Sequence, residues 1–205
     1  MVLCPPFPNK EQDTGPIILV IIILQKIRYT AINKVSKGTI EDNKVYSNAL
    51  DNIEIDKGSS PELRSNKIFD GANGIYIHGN SQPLIEENDV FNNAKAGVKI
   101  RLGSPILRRN QIHDDKGVGI YILDQGKSII EDNDIFGNSR AGVAIEGGEP
   151  VLRGNRINKN GFQAVSIRNN GAGTIEDNDL RDNKKGPWDV SESNKFSLIT
   201  SRNLE

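Results

Sequence analysis

Scarcity is informative in this 205-residue sequence. A single cysteine, Cys4, rules out an intrachain disulfide and any zinc site built from thiols. Two histidines, His78 and His113, confine imidazole chemistry to two places. With 26 basic and 27 acidic residues the net charge is -1, so the electrostatic footprint of a nucleic-acid binder is missing and no nucleic-acid partner is expected. Long apolar runs are absent except for Ile17 to Leu24. That run is far shorter than the roughly 20 residues a membrane helix needs, and it has neither the basic start nor the small-residue cleavage site of a secretory signal. No membrane span is expected. There is no phosphate-binding glycine loop, HExxH motif or Ser-His-Asp order, so no catalytic residue, metal or cofactor is assigned.

What the chain has instead is a repeat. TIEDN (39–43), ELRSN (62–66), LIEEN (84–88), ILRRN (106–110), IIEDN (129–133), VLRGN (151–155) and TIEDN (174–178) are one motif written seven times, their asparagines 22 or 23 residues apart. Two residues after each Asn comes an aliphatic side chain: Val45, Ile68, Val90, Ile112, Ile135, Ile157 and Leu180. A further strand-like segment closes each unit: NIEI (52–55), GIYI (74–77), GVKI (97–100), GIYI (119–122), GVAI (142–145), AVSI (164–167) and PWDV (187–190).

Three short apolar stretches per unit, punctuated by Asn and Gly, fit one coil of a solenoid whose equivalent strands align into parallel sheets. The reading is all-β: a right-handed parallel β-helix of about seven coils of 22–23 residues, with terminal caps. Side chains alternate along a strand, so Ile55, Ile77, Ile100, Ile122, Ile145, Ile167 and Val190 form one interior column. Ile32, 23 residues before Ile55, extends the pattern towards the N-terminus. Residues 1–16, with Pro5, Pro6 and Pro8, read as an irregular leader or cap, 17–190 as the β-helix, and 191–205 as a C-terminal cap or tail. Open sheet ends invite pairing, so end-to-end self-association is possible.

The recurring asparagines are expected to be turn ladders, since Asn tolerates left-handed backbone and its amide reaches the equivalent residue about 4.8 Å away in the next coil. Glu41, Arg64, Glu86, Arg108, Glu131, Arg153 and Glu176 fall at one position of successive coils. Opposite charges thereby alternate up the stack, worth about 0.2–1 kcal/mol per contact.

The Asn-marked coils IEDNDIFGNSRAGVAI (130–145) and PILRRNQIHDDKGVGIYI (105–122) closely resemble the β-helical repeats of the F-box only family of ubiquitin-ligase subunits. They also resemble the wider group of parallel β-helix repeats shared by carbohydrate-binding proteins and sugar hydrolases. The similarity spans about residues 38–185. The first resemblance implies a substrate-recognition surface, although nothing in residues 1–37 looks like an F-box module. The second implies sugar binding, or catalysis by a cluster of carboxylates, or of Arg and Lys around a calcium ion, on one groove.

Two places on the coils carry candidate chemistry. His113 stands in an HDD turn, where Asp114 and Asp115 offer carboxylate partners or a weak cation site. On the outward positions of the last strand of three consecutive coils lie Tyr76 and His78, then Lys99 and Arg101, then Tyr121. Tyrosine planes pack on sugar rings, and Lys and Arg bind carboxylates, so these five residues form the expected ligand face. Because the repeats are regular and unbroken by long loops, the expected function is a non-catalytic recognition or scaffold module whose partner is a protein or polysaccharide ligand. The competing reading is a polysaccharide lyase, epimerase or glycoside hydrolase relative.

Overall fold

The computed structural model describes residues 31–32 and 37–205. The expected leader at 1–16 and the start of the solenoid at Ile17 lie outside the described residues. Successive coils stack their strands into three parallel sheets, and the last coil adds to the second sheet only an isolated bridge at Asp179. The first sheet has eight strands: Thr39–Glu41, Glu62–Arg64, Leu84–Glu86, Ile106–Arg108, Ile129–Glu131, Val151–Arg153, Gly173–Glu176 and Leu198–Ser201. The second has six: Lys44–Tyr46, Lys67–Phe69, Asp89–Phe91, Gln111–His113, Asp134–Phe136 and Arg156–Asn158. The third has eight: Ala31–Ile32, Ile53–Ile55, Asn73–Ile77, Ala96–Arg101, Val118–Leu123, Val143–Glu146, Val165–Arg168 and Trp188–Val190. Ile32 pairs with Ile55, in the register its spacing implies.

One buried column rises from each sheet into a shared interior. Ile55, Ile77, Ile100, Ile122, Ile145 and Ile167 are fully buried, and Val190 packs against the same cluster at the last coil. Ile68, Val90, Ile112, Ile135 and Ile157 line the second sheet, and Leu63, Ile85, Leu107, Ile130, Leu152 and Ile175 the first. Each such side chain contributes roughly 1.5–3 kcal/mol on burial, a gain made only when neighbouring coils stack. Where the chain bends into the third sheet, a Cβ on Gly119 or Gly142 would sit 2.7 or 2.3 Å from the methyl of Ile135 or Ile157. These two glycines are required by space, not by backbone angle.

The turns correct one expectation. The ladder asparagines are not the left-handed residues; the residue before each of them is. Asp42, Ser65, Glu87, Arg109, Asp132, Gly154, Asp177 and Arg202 take positive φ, each preceding a ladder Asn. A second series, Ser47, Asp70, Asn92, Asp114, Gly137, Lys159 and Asp182, does the same one turn further on. Non-glycine residues there cost about 1–2 kcal/mol each, and the turn aims the next side chain inward, where hydrogen bonds offset the strain.

Those bonds are continuous. The Nδ2 of Asn66, Asn88, Asn110, Asn133, Asn155 and Asn178 each donates to the Oδ1 of the next ladder Asn at 2.9–3.0 Å. The ladder ends on Asn203, inside the segment expected to be a cap or tail. Residues 198–201 add a further strand to the first sheet, and Glu192–Ser197 forms a 3₁₀ turn in which buried Asn194 donates to the Gly171 carbonyl at 2.7 Å.

Candidate functional site

The outer face of the third sheet brings the five expected ligand residues together. Register places Glu54, Tyr76, Lys99, Tyr121 and Ala144 in one outward column. Two residues further along the strands stand His78, Arg101, Leu123 and Glu146, on the same face by the alternation of side chains. The Tyr76 and His78 rings stack with centroids 4.5 Å apart and planes 18° from parallel. Lys99 Nζ lies 4.6 Å from the Tyr76 ring centre, a cation–π contact between coils.

Acids make this face charge-balanced instead of basic. His78 Nε2 is 2.8 Å from Glu54 and its Nδ1 is 3.2 Å from Asp56. Arg101 Nε donates to Asp124 at 2.7 Å, and this bond, with a further one to the Tyr76 hydroxyl, raises the guanidinium pKa. Burial, helped by Glu146, pushes the Tyr121 phenol up to about 12. The sequence lists these acids, but only strand register shows that Glu54 and Glu146 flank the aromatic and basic residues. The result is a row of donor–acceptor pairs interleaved with rings, suited to hydroxyl-rich ligands more than to a bare anion.

His113 belongs to a different device. On the outer side of the second sheet Tyr46, Phe69, Phe91, His113 and Phe136 stack ring on ring, with centroids 4.7–5.3 Å apart. These residues all stand three after a ladder Asn, so aligning the coils would have revealed the column. The imidazole is a fourth rung among arenes, held by Asp114 at 2.8 Å and Asp89 at 3.0 Å. Burial works against its charge, yet the two carboxylate bonds outweigh burial and hold its pKa above the ordinary value.

Asp115 is not its partner. It is fully buried and occupies a position of the second ladder, between Asn93 and Asn138. Its Oδ1 accepts from the Asn93 backbone N–H at 2.7 Å and from Asn93 Nδ2 at 3.0 Å. Its Oδ2 has no partner. A Cβ on Gly97 would meet that Oδ2 at 2.5 Å, as one on Gly119 would meet the Asn138 amide nitrogen at 2.8 Å, so the oxygen sits where other rungs place a donor. Burial pushes this carboxyl up to about 7. Among the described residues no three His, Cys, Asp or Glu side chains are grouped to hold a metal ion, and no helix is long and apolar enough to cross a membrane.

The coil geometry defines a right-handed β-helix protein with a regular outer surface. The family model for the right-handed beta helix region matches residues 28–148 and 102–202, and the chain belongs to that family. Its fold is similar to crystal structures of the periplasmic alginate epimerase AlgG: at 18% identity and a TM-score of 0.73 the match covers 83% of this chain and 46% of the epimerase. A point mutant of the same epimerase matches at 19% identity and a TM-score of 0.76, over the same shares. The chain therefore spans less than half the length of these structural neighbours. No curated protein matches it in sequence.

Proposed function

We propose that the chain is a non-catalytic β-helix module that recognises an extended polysaccharide along the outer face of its third sheet. The observation that carries this reading is the convergence of Tyr76, His78, Lys99, Arg101 and Tyr121 on three adjacent strands, with Glu54, Asp56, Asp124 and Glu146 among them. Coils repeat every ~4.8 Å, so successive sugars of a chain lying along the solenoid axis meet rings and hydrogen-bonding pairs again and again. The test is a glycan array of neutral and uronic-acid oligosaccharides. Specific binding that is lost in Tyr76→Ala/Tyr121→Ala, with folding unchanged by circular dichroism, supports the reading. Binding to no glycan, or binding indifferent to both substitutions, overturns it.

A second reading, a polysaccharide-modifying enzyme, is favoured by the fold similarity to alginate epimerases. Incubation with polyuronates separates the two, because an enzyme changes the polymer's NMR spectrum or releases unsaturated ends and a binding module leaves the polymer as it was.

A further inference from the structure

The first sheet carries an outward surface that the ligand face does not use. Its register aligns Leu84, Ile106, Ile129, Val151, Thr174 and Ile199 in one outward column. Ile106 is 38% exposed, Ile129 40% and Ile199 66%, where a soluble surface ordinarily shows scattered apolar side chains and not an aligned row. A groove of about 490 Å³ runs beside this column, lined among others by Ile129, Val151, Thr174 and Ile199. Two residues along the same strands stands the charge column, Glu41, Arg64, Glu86, Arg108, Glu131, Arg153 and Glu176.

We propose that this face pairs with the same face of a second copy, antiparallel, about a twofold axis lying along the strands between the coils of Ile106 and Ile129. The occupant is identified by charge order. Such an axis reverses the stack while keeping each column opposite its own kind, so apolar meets apolar and the charge ladder meets its own reverse. Ile106 then faces the second copy's Ile129, and Leu84 faces its Val151. In the charge column Arg108 faces Glu131 and Arg64 faces Glu176; Glu86, buried beneath Arg64, Arg108 and Arg109 of its own chain, lies at the level of the second copy's Arg153 without reaching it. An alternating ladder reversed about a point midway between two rungs sets opposite signs at the same level, here for six of the seven charged rungs, with Glu41 opposite the uncharged Ser201. A parallel twofold dimer would set each charge against its own kind at every level, so the same alternation selects against it.

Within one chain the ladder is already partly paired, with Arg108 bonding Glu86 at 3.1 Å and Arg153 bonding Glu176 at 2.6 Å, yet the arginine side chains remain 40% and 52% exposed. Three-residue strands stacked over seven coils offer a face of roughly 34 by 10 Å. That is less than half of the ~800 Å² per partner of a standard interface, so the dimer is weak and transient. The third sheet stays open in it, so sugar recognition and pairing are independent.

The experiment is sedimentation velocity on the full chain over a concentration series, with Ile106→Lys/Ile129→Lys as the disrupting variant and Ile129→Asn as a milder one. A monomer–dimer equilibrium weakened at least about tenfold by the lysine pair, with the circular dichroism spectrum retained, is expected. Register is read by cross-linking in a Cys4→Ser background. A mixture of Ile106→Cys and Ile129→Cys chains forms the mixed disulfide, whereas Leu84→Cys chains alone do not cross-link. A chain that stays monomeric throughout, a dimer indifferent to Ile129→Asn and to the lysine pair, or cross-linking of Leu84→Cys with itself overturns the proposal.

Discussion

Asp115 shows how a single atom exchanged within a repeat creates a titrating group. In the neighbouring rung the Asn138 side chain donates to the Oδ1 of Asn160 at 3.0 Å and to the Ile112 carbonyl. The Asp115 Oδ2 stands in the place of that donor, so an ionised carboxylate there confronts acceptors, whereas a protonated one can donate. The folded-state pKa of about 7 lies above the ordinary 3.8, with burial as the largest cause. Groups facing it are Asn93 below, Asn138 above, and His113 and Asp114 from its own coil. A raised acid contributes its stability fully below the unfolded pKa, and that contribution is lost as pH rises through the folded one. Urea unfolding is therefore expected to show stability falling between about pH 4 and pH 7 by up to ~4 kcal/mol. The raised His113 extends the fall to higher pH, since its contribution is fully present below the ordinary 6.5 and is lost as pH rises through its folded pKa. Asp115→Asn should match the parent near pH 4 and exceed it near pH 8, by ~2–4 kcal/mol. Equal stability of the two proteins at alkaline pH would show that the carboxyl is solvated in the folded state. At the acid end Glu176, Asp177 and Asp189, all held below their ordinary values by hydrogen bonds from arginine, work in the opposite sense and lose their contribution as pH falls through those depressed values.

Among the elements, the asparagine ladder carries the polar half of the fold. Asn133 Oδ1 accepts from both the backbone and side chain of Asn110, and its Nδ2 donates to Leu107 O, Glu131 O and Asn155 Oδ1. Removing it strands several buried groups across three coils, so Asn133→Ala is expected to cost about 2–4 kcal/mol by urea unfolding, and Asn203→Ala, on the half-buried last rung, under half of that. An equal loss at both positions would mean that the ladder gains nothing from its interior placement. Strand positions, interior columns and the ladder asparagines were legible in the sequence, because a 22- or 23-residue period repeats the same local chemistry often enough to average out single departures. Other features needed the coils aligned, or the register itself. Tyr46, Phe69, Phe91, His113 and Phe136 include a histidine that looks like drift until stacking is seen. The left-handed residues vary in type from Asp42 to Arg109, because backbone geometry is imposed there by the ladder next door and not by the residue itself. For the candidate site, strand alternation in the sequence sets the five residues on outward positions of consecutive coils, while the acids that balance them depend on a register that no single coil displays.

For the whole molecule, a solenoid's stability is a sum over coils and the contacts between neighbours, and this makes the parity of the charge ladder testable. Deleting one coil, residues 129–150, joins Ser128 to Val151 and brings Arg108 against Arg153, like against like. Deleting two coils, 129–173, joins Ser128 to Thr174 and brings Arg108 against Glu176, restoring alternation. Both deletions leave Asp115, the tyrosines of the ligand face and the terminal coils in place. The larger deletion removes more core, so in low salt it should have the smaller dependence of unfolding free energy on urea. The response to salt should follow parity instead of length. A like-charge rung costs about 0.2–1 kcal/mol that salt screens, so added salt raises the melting temperature of the one-coil deletion relative to the parent. The two-coil deletion, its ladder alternating again, responds to salt as the parent does. Parallel salt responses in both deletions would show that the exposed rungs are solvated individually, and that the alternation in this family member keeps register during folding without stabilising the folded stack.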